Sequence, residues 1–277
     1  MQAENDENTP FVNPLDTVDA LVRSSKRRTH FPLRHQFLQV RNDDSRSPGP
    51  LAYLVRRGDH RSLTLYLLAI TKASREPFDT RLPASVWARA LGLSTSNTES
   101  ARSSISRTWH RLEVANLIRR QREDRMAKIT LLSEDGSGSD YAAPDKGYFK
   151  VSLALWLAGP VEEGDNGARW FQVLSLPELA VLLIACSLGP GFRLPQEKAS
   201  DWYGISADTV GRGLRGLSNR GLLSSQRHYR QAPLSPLGYT WEVRHTLADP
   251  FRISLGSSNP DTTSGTQKDG AQTREAD

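Results

Sequence analysis

An internal repeat constrains the fold of this 277-residue chain more than any other feature of its sequence. Residues 81–94 read RLPASVWARALGLS, and residues 193–206, 112 positions later, read RLPQEKASDWYGIS. Apolar residues then match at an offset of 105, namely Ile105, Trp109, Leu112, Leu117 and Ile118 with Val210, Leu214, Leu217, Leu222 and Leu223. The first copy therefore has seven extra residues, within 95–101. Two copies of one pattern predict two similarly folded units.

Each copy predicts the same order of helices. An apolar segment, residues 63–73 or 177–187, predicts a first helix. A second, short helix follows the shared Leu-Pro and ends at Gly92 or Gly204, because glycine readily adopts the left-handed conformation found after helix ends. The third helix has apolar residues at i, i+4 and i+7, which form one helical stripe.

After the third helix, Asn116 or Gly221 supplies a turn into a hairpin, predicted over residues 119–132 or 222–243. This order of helix, helix, turn, third helix and two-stranded wing resembles the winged helix-turn-helix family, and it occurs twice. The signature is clearest in residues 202–223, WYGISADTVGRGLRGLSNRGLL. The resemblance implies a mainly α fold with small β-wings, of the α+β class, in two tandem domains with disordered termini.

The predicted domain organisation has five parts. They are an acidic disordered N-terminus with a basic arm (residues 1–50), a first winged domain (51–133), a linker (134–146), a second winged domain (147–252) and a disordered acidic tail (253–277). Residues 147–156 and 168–174 are expected to be strands or a packing element of the second domain. Within them, Trp170 and Phe171 fit either the core or an exposed anchor for a second subunit.

The net charge of +5 is distributed unevenly along the chain. Residues 1–22 carry −5 and residues 253–277 carry −2, whereas the 34 positive and 22 negative side chains of residues 23–252 give +12. A body so basic favours a polyanionic partner such as nucleic acid.

In the winged helix-turn-helix family the third helix lies in the major groove of double-stranded DNA. At about 100° per residue, the face opposite the apolar stripe carries the residues expected to contact base edges. These are Ser103, Arg107, His110 and Arg111 in the first copy and Asp208, Arg212, Arg215 and Asn219 in the second. Arg107 and Arg212 are equivalent, and an arginine fork pairs well with guanine.

Basic residues of the two predicted wings are expected to contact DNA phosphates. They are Arg119, Arg120, Arg122, Arg125 and Lys128 in the first wing and Arg227, His228 and Arg230 in the second. A further cluster, which includes Arg23, Lys26 and Arg34, is expected to be a mobile arm that reaches DNA. Residues 26–28, Lys-Arg-Arg, would equally suit a nuclear targeting signal in a eukaryotic protein.

Motifs for catalysis or cofactor binding are not found in the sequence. It has no Gly-x4-Gly-Lys-Ser/Thr loop, no His-x-His or His-x3-His pair, and a single cysteine, Cys186. We therefore expect no catalytic residue, no metal and no cofactor. The longest stretches without charge are too short to cross a membrane, and the first residues lack the pattern of a signal peptide.

These observations predict a non-enzymatic protein that binds double-stranded DNA, located in the cytoplasm and associated with the nucleoid if bacterial. Two roles fit: a replication initiator of a plasmid or mobile element, and a transcriptional regulator. The tandem arrangement favours the initiator. A different class remains open, an adaptor whose winged domains bind proteins. Whether the chain forms a homodimer or contacts the replication or transcription machinery also remains open.

Overall fold

The structure of the chain is a computed structural model, which describes residues 12–42, 45–93, 98–123, 126–160 and 167–252. Within these ranges the helices are, in chain order, α1 (Pro14–Arg23), α2 (Pro50–Arg56), α3 (His60–Lys72), α4 (Ala84–Ala90), α5 (Thr98–Val114), α6 (Ala154–Leu157), α7 (Trp170–Val173), α8 (Leu176–Leu188), α9 (Ala199–Tyr203) and α10 (Ala207–Asn219). The strands are β1 (His30–Arg34), β2 (Gln39–Asn42), β3 (Ser45–Pro48), β4 (Asp79–Arg81), β5 (Ile118–Glu123), β6 (Met126–Leu131), β7 (Tyr148–Ser152), β8 (Leu223–Gln231) and β9 (Tyr239–Leu247).

In the described part of the chain these strands form four small antiparallel sheets. Three are two-stranded, pairing β1 with β7, β2 with β3 and β8 with β9, and the fourth has the order β4-β6-β5. Helices together with small antiparallel sheets confirm the predicted α+β class.

The first repeat unit runs from α3 to β6, and local sequence explains most of its elements. The side chain of Asp59 caps α3 by accepting a hydrogen bond from the backbone N–H of Ser62 at 3.1 Å. Trp87 of α4 and Trp109 of α5 pack edge to face, with ring centroids 5.3 Å apart. Asn116 has φ 54°, as the predicted turn into the hairpin requires. Strand β4, which the sequence pattern did not reveal, pairs with β6.

The second repeat unit runs from α8 to β9 in the same order. Gly204 ends α9 with left-handed backbone, φ 64°, and Ser206 caps α10 by accepting from the N–H of Thr209. In place of a strand equivalent to β4, a single bridge joins Phe192 to His245. The predicted succession of helix, helix, helix and hairpin is therefore present in both copies.

A single hydrophobic core extends through both units. Helices α3 and α8 are buried along nearly their whole length, at residues 62–71 and 178–186, as expected of helices inside a core. Strand β7 packs on α8, and Trp156 just beyond it donates a hydrogen bond from Nε1 to Thr71 Oγ1 of α3 at 3.1 Å. The two units therefore share their interior and are not separated by a boundary.

The expectation of a disordered N-terminus and basic arm over residues 1–50 is wrong for residues 12–42 and 45–50. Helix α1 buries Val18 on one face, and β1 buries Phe31 and Leu33 by pairing with β7. Local composition gives little sign of this, because the strand that completes the sheet lies more than a hundred residues further along the chain.

The linker predicted at residues 134–146 is also wrong. Glu134 is fully buried, at 0% exposure, and forms an ion pair with the guanidinium of Arg34, which lies 5.3 Å from the Tyr141 ring centroid. Burial raises the pKa of Glu134, although Arg34 opposes the shift. Residues of this segment therefore form part of the core.

Residues 147–156 and 168–174 differ in part from the prediction. Strand β7 is present, but it pairs with β1, and residues 154–157 and 170–173 are helical. Trp170 and Phe171 are buried, packing on Phe251 and Trp156 respectively, so they belong to the core and are not an exposed anchor. The predicted extra segment of the first copy, at 95–101, lies partly outside the described residues, as do residues 1–11 and the predicted tail from 253.

Removing the buried anion should destabilise the fold. Glu134→Ala leaves the guanidinium of Arg34 without a carboxylate partner, and we expect the free energy of unfolding to fall by about 3 kcal/mol. The control is Asp140→Ala, since Asp140 is 81% exposed and its pairing with Arg119 should contribute less than about 1 kcal/mol. Urea titrations followed by circular dichroism measure both, and equal losses would contradict the buried pair.

Two glycines of α10 provide a second test, of how α10 packs on α8. A Cβ on Gly213 would lie 2.4 Å from Pro177 O and 2.5 Å from Val181 Cγ2, so Gly213→Ala should cost about 2 kcal/mol through overpacking. A Cβ on Gly211 meets only the ends of flexible side chains, Gln196 Oε1 at 3.1 Å and Arg215 Nη1 at 3.6 Å. Because alanine favours helix by roughly 1 kcal/mol over glycine, Gly211→Ala should not destabilise. Thermal melts of the two variants should therefore shift in different directions.

Candidate nucleic-acid interface

The outer face of α5 carries three of the side chains predicted to contact base edges. Ser103, Arg107 and His110 are exposed at positions i, i+4 and i+7, which share one face of a helix. The residues of the opposite, apolar stripe are buried, namely Ile105, Trp109 and Leu112. The predicted orientation of α5 is therefore the observed one.

Arg111, one turn after Arg107, lies at the edge of this stripe and is partly buried, and its guanidinium turns toward the start of α3. Its Nε donates to Asp59 Oδ2, and its Nη2 lies 3.3 Å from Asp59 Oδ1. Burial alone would raise the pKa of Asp59, but hydrogen bonds from Ser62 and Arg111 outweigh it and hold that pKa below its ordinary value. Arg111 thus fixes α5 against the start of α3.

All four residues predicted on α10 lie in one exposed stripe, at i, i+4, i+7 and i+11, and they are Asp208, Arg212, Arg215 and Asn219. Arg212 Nε lies 3.0 Å from Asp208 Oδ2, and both groups are exposed. Because exposed ion pairs contribute at most about 1 kcal/mol, Arg212 can exchange this partner for another acceptor at little cost. The stripe offers two guanidinium groups near its centre.

Arg220, which the sequence analysis did not single out, has in the second unit the role that Arg111 has in the first. Its Nε donates to Glu178 Oε1 at 2.9 Å, and its Nη2 donates to the carbonyl of Val173 at 2.8 Å. Glu178 in turn accepts from the N–H of Ser175 at 2.7 Å, at the start of α8. The Ser-x-x-Glu capping box can be read from the sequence, but its arginine partner, 42 residues later, cannot.

Two arginines of the β5–β6 hairpin that were predicted to contact phosphates are paired with carboxylates. Arg119 Nη2 lies 2.9 Å from Asp140 Oδ1, and Arg120 Nη2 lies 3.1 Å from Glu113 Oε2. These acids offset much of the positive charge of the strand. Arg119 is exposed, whereas Arg120 is only partly so.

The remaining basic residues of that hairpin differ in position. Lys128 is mostly buried, and its Nζ lies 3.4 Å from Asp79 Oδ2 and 3.2 Å from Glu123 Oε1. Arg122 is exposed, and Arg125 lies outside the described residues. The first hairpin is therefore less cationic at its surface than its composition indicates.

The β8–β9 hairpin presents its basic residues openly. Arg227, His228 and Arg230 are all exposed, and no carboxylate of the described residues forms an ion pair with them. The guanidinium carbon of Arg227 lies 4.9 Å from the ring centroid of Trp241. Together with α10, this hairpin forms the most cationic part of the candidate interface.

The hairpin of β2 and β3 holds the turn between α9 and α10. Gln39 Nε2 donates to the carbonyl of Trp202 at 2.9 Å, and Arg56 Nε of α2 donates to the carbonyl of Gly204 at 2.8 Å. The guanidinium of Arg46 lies 5.2 Å from the Trp202 ring centroid. Because α2 also packs on α3, these contacts tie the second unit to the framework of the first.

Comparisons with protein-family models, with curated proteins and with solved structures find no match to this chain. In the part of the chain that the structure describes, no helix is long and apolar enough to cross a membrane, and no group of three His, Cys, Asp or Glu side chains is placed to hold a metal ion. Cys186 is buried on α8, and burial raises the pKa of its thiol to about 12.

Two arginines of α5 should respond differently to truncation. Arg111→Ala leaves the capping carboxylate of Asp59 without its cation, so we expect the free energy of unfolding to fall by about 1–3 kcal/mol. Arg107→Ala removes an exposed side chain and should change it by less than about 0.5 kcal/mol. Chemical denaturation compares the two, and an equal effect would show that Arg111 does not anchor α5.

Proposed function

We propose that this chain is a non-enzymatic DNA-binding protein whose repeat units are two tandem winged helix-turn-helix domains. The observation that carries the proposal is an order of elements that occurs twice: a buried first helix, a short second helix, a third helix with an exposed polar stripe, and an antiparallel hairpin. Placed in a major groove, the third helices would turn these stripes toward base edges.

The stripe of α10 has dimensions that suit a major groove. From Asp208 to Asn219 it covers about 16 Å at 1.5 Å per residue, which corresponds to roughly five base pairs. Arg212 and Arg215 lie within it, and a guanidinium that pairs with guanine O6 and N7 gives about 1–3 kcal/mol of discrimination. In the first unit, Arg107 and His110 hold the equivalent positions.

The two units would contact one stretch of DNA with a fixed relative placement. Their first helices share one core, and the β2–β3 hairpin holds the turn before α10. A replication initiator of a plasmid or mobile element, which binds repeated sites with both domains, is the role that this arrangement favours. Transcriptional regulation through a single operator is the second role.

One observation favours a different function, that of a protein adaptor. The basic residues of the first hairpin are largely paired with the chain's own carboxylates, so that surface attracts phosphate less than its composition indicates. A winged domain with a neutralised hairpin is suited to protein contacts. In that case only the second unit would bind DNA, or neither unit would.

Selection of DNA fragments from the source genome tests the proposed function. We expect one sequence to be enriched and the logarithm of the affinity to fall linearly with the logarithm of salt concentration. Repeated sites at an origin would identify an initiator, and a single site upstream of a gene a regulator. No enrichment, together with a protein complex insensitive to salt, would support the adaptor.

Variants in the second unit distinguish the residues proposed to contact bases from those proposed to contact phosphates. Arg212→Ala should lower affinity for the selected site by about 1–3 kcal/mol and relax base preference in one part of it. Arg230→Ala should weaken binding to all sequences alike and reduce the salt slope by about one.

The matched control is Arg75→Ala, which removes an exposed arginine between α3 and β4, on neither a third helix nor a hairpin. It should leave affinity and base preference unchanged. If Arg212→Ala and Arg230→Ala had the same effect on every sequence, the assignment of α10 as the base-reading helix would be wrong.

A further inference from the structure

The outer part of the β8–β9 hairpin, residues 224–241, extends beyond the body of the protein. Near its base, Leu223 and Leu247 are directly paired and buried in the core. From Ser224 to Gln231, every residue of β8 is exposed. Two-stranded hairpins alone are only marginally stable in water, so a partner that covers this part of the hairpin would stabilise it.

One face of this outer part is aromatic. Tyr229 lies opposite Trp241 in the register, and the rings of Tyr229 and Tyr239 have centroids 5.7 Å apart. Side chains two residues apart on a strand share a face, so these three rings lie together. They are 55%, 50% and 44% exposed for Tyr229, Trp241 and Tyr239 respectively. Two exposed leucines, Leu234 and Leu237, lie in the turn that joins the strands.

Exposed apolar surface is concentrated at this hairpin. Of the nine large hydrophobic residues exposed in the described part of the chain, five lie between Tyr229 and Trp241, and the others are scattered singly over other elements. An exposed group of aromatic side chains on a soluble surface indicates an interaction site.

The charges around the aromatic face select the partner. Arg227 lies on the aromatic face and covers part of Trp241, whereas Arg230, next to Tyr229 in the strand, is exposed on the opposite face. The acid of the hairpin, Glu242, is neutralised by hydrogen bonds from Arg193 and Arg244. The aromatic face therefore combines three rings with one arginine, Arg227, that forms no ion pair with a carboxylate of the described residues, and a polyanion with planar groups complements both.

In duplex DNA the flat faces of the bases are covered by neighbouring base pairs, so only unpaired bases can stack on protein rings. We propose that the outer part of the β8–β9 hairpin binds single-stranded DNA, with bases stacked on Tyr229, Tyr239 and Trp241 and with Arg227 at the phosphates. Stacking on aromatic side chains beside basic groups is the general mode of binding single strands without sequence preference. An arginine already stacked on an indole provides a further planar cation for a base.

This inference rests on the proposed DNA-binding function and extends it. The exposed stripe of α10 and the aromatic face belong to the same repeat unit, so one unit would hold a duplex site and an adjacent unpaired strand together. Such a surface would retain one strand where a duplex opens beside the bound site.

The test uses the full chain and a fluorescein-labelled 20-residue oligothymidylate, which forms no duplex of its own. We expect its binding to quench intrinsic tryptophan fluorescence, since Trp241 is the only tryptophan of the described residues whose ring is half exposed or more. Trp241→Ala and Tyr229→Ala should each weaken oligothymidylate binding by roughly 5- to 150-fold, as expected for loss of one stacked base. Trp241→Phe keeps a ring and should retain affinity within about threefold.

Two controls accompany these variants. Leu157→Ala removes an exposed apolar side chain from α6, away from the hairpin, and should leave single-strand binding unchanged. Affinity for the selected duplex should change less than about threefold in Trp241→Ala, because base reading is assigned to α5 and α10. Because the ring of Trp241 is exposed, Trp241→Ala should unfold at the same thermal midpoint as the unaltered chain. If the midpoint of Trp241→Ala falls, Trp241→Phe, which keeps a ring, serves as the variant for the binding comparison.

Three outcomes would overturn the inference. The first is no binding of oligothymidylate, and the second is an equal loss of affinity for single strand and duplex in Trp241→Ala. The third is a monomer–dimer equilibrium that Trp241→Ala shifts while oligothymidylate binding stays unchanged. The last would assign the face to a second copy of the chain. The proposed function fails separately, if no duplex is enriched while oligothymidylate binding still depends on Trp241.

Discussion

The antiparallel pairing of β1 with β7 is the contact on which the rest of the fold depends. It joins residues 30–34 to residues 148–152 and buries the side chains that alternate along the two strands, Phe31, Leu33, Phe149 and Val151. Strand β7 packs on α8, and Trp156, just after β7, donates a hydrogen bond to Thr71 of α3. The first helices of the two repeat units are thereby held in one core, and residues 12–42 are part of it.

The candidate interface takes its shape from this shared framework. In each unit an arginine at the flank of the third helix or just after its end binds the carboxylate that caps the first helix, Arg111 with Asp59 and Arg220 with Glu178. These pairs set the rotation of α5 and α10 about their axes, because the anchored side fixes which side is exposed. The polar stripes are therefore presented by helices whose orientation is determined in the interior.

Sequence patterns predicted the helices of both units and the exposed stripe of α10 because these depend on neighbours within a few turns. They predicted less well which cations are available to a ligand. Lys128 belongs to a strand whose partner supplies Asp79, and Arg111 meets an acid 52 residues earlier. A residue that lies opposite an apolar stripe of a helix can reach solvent. Its position does not show whether a carboxylate distant in the sequence already forms an ion pair with it.

The sequence by itself determined the repeat, the faces of the helices and the left-handed turns at Gly204 and Asn116, since each follows from backbone preference and periodicity over short distances. Only the tertiary structure decided that residues 12–42 and 134–146 are folded, that the units share a core, and that unpaired cations gather at the second hairpin with its exposed aromatic rings. The physical reason is that strand pairing and ion pairing join groups far apart in the chain, whose meeting depends on the complete fold.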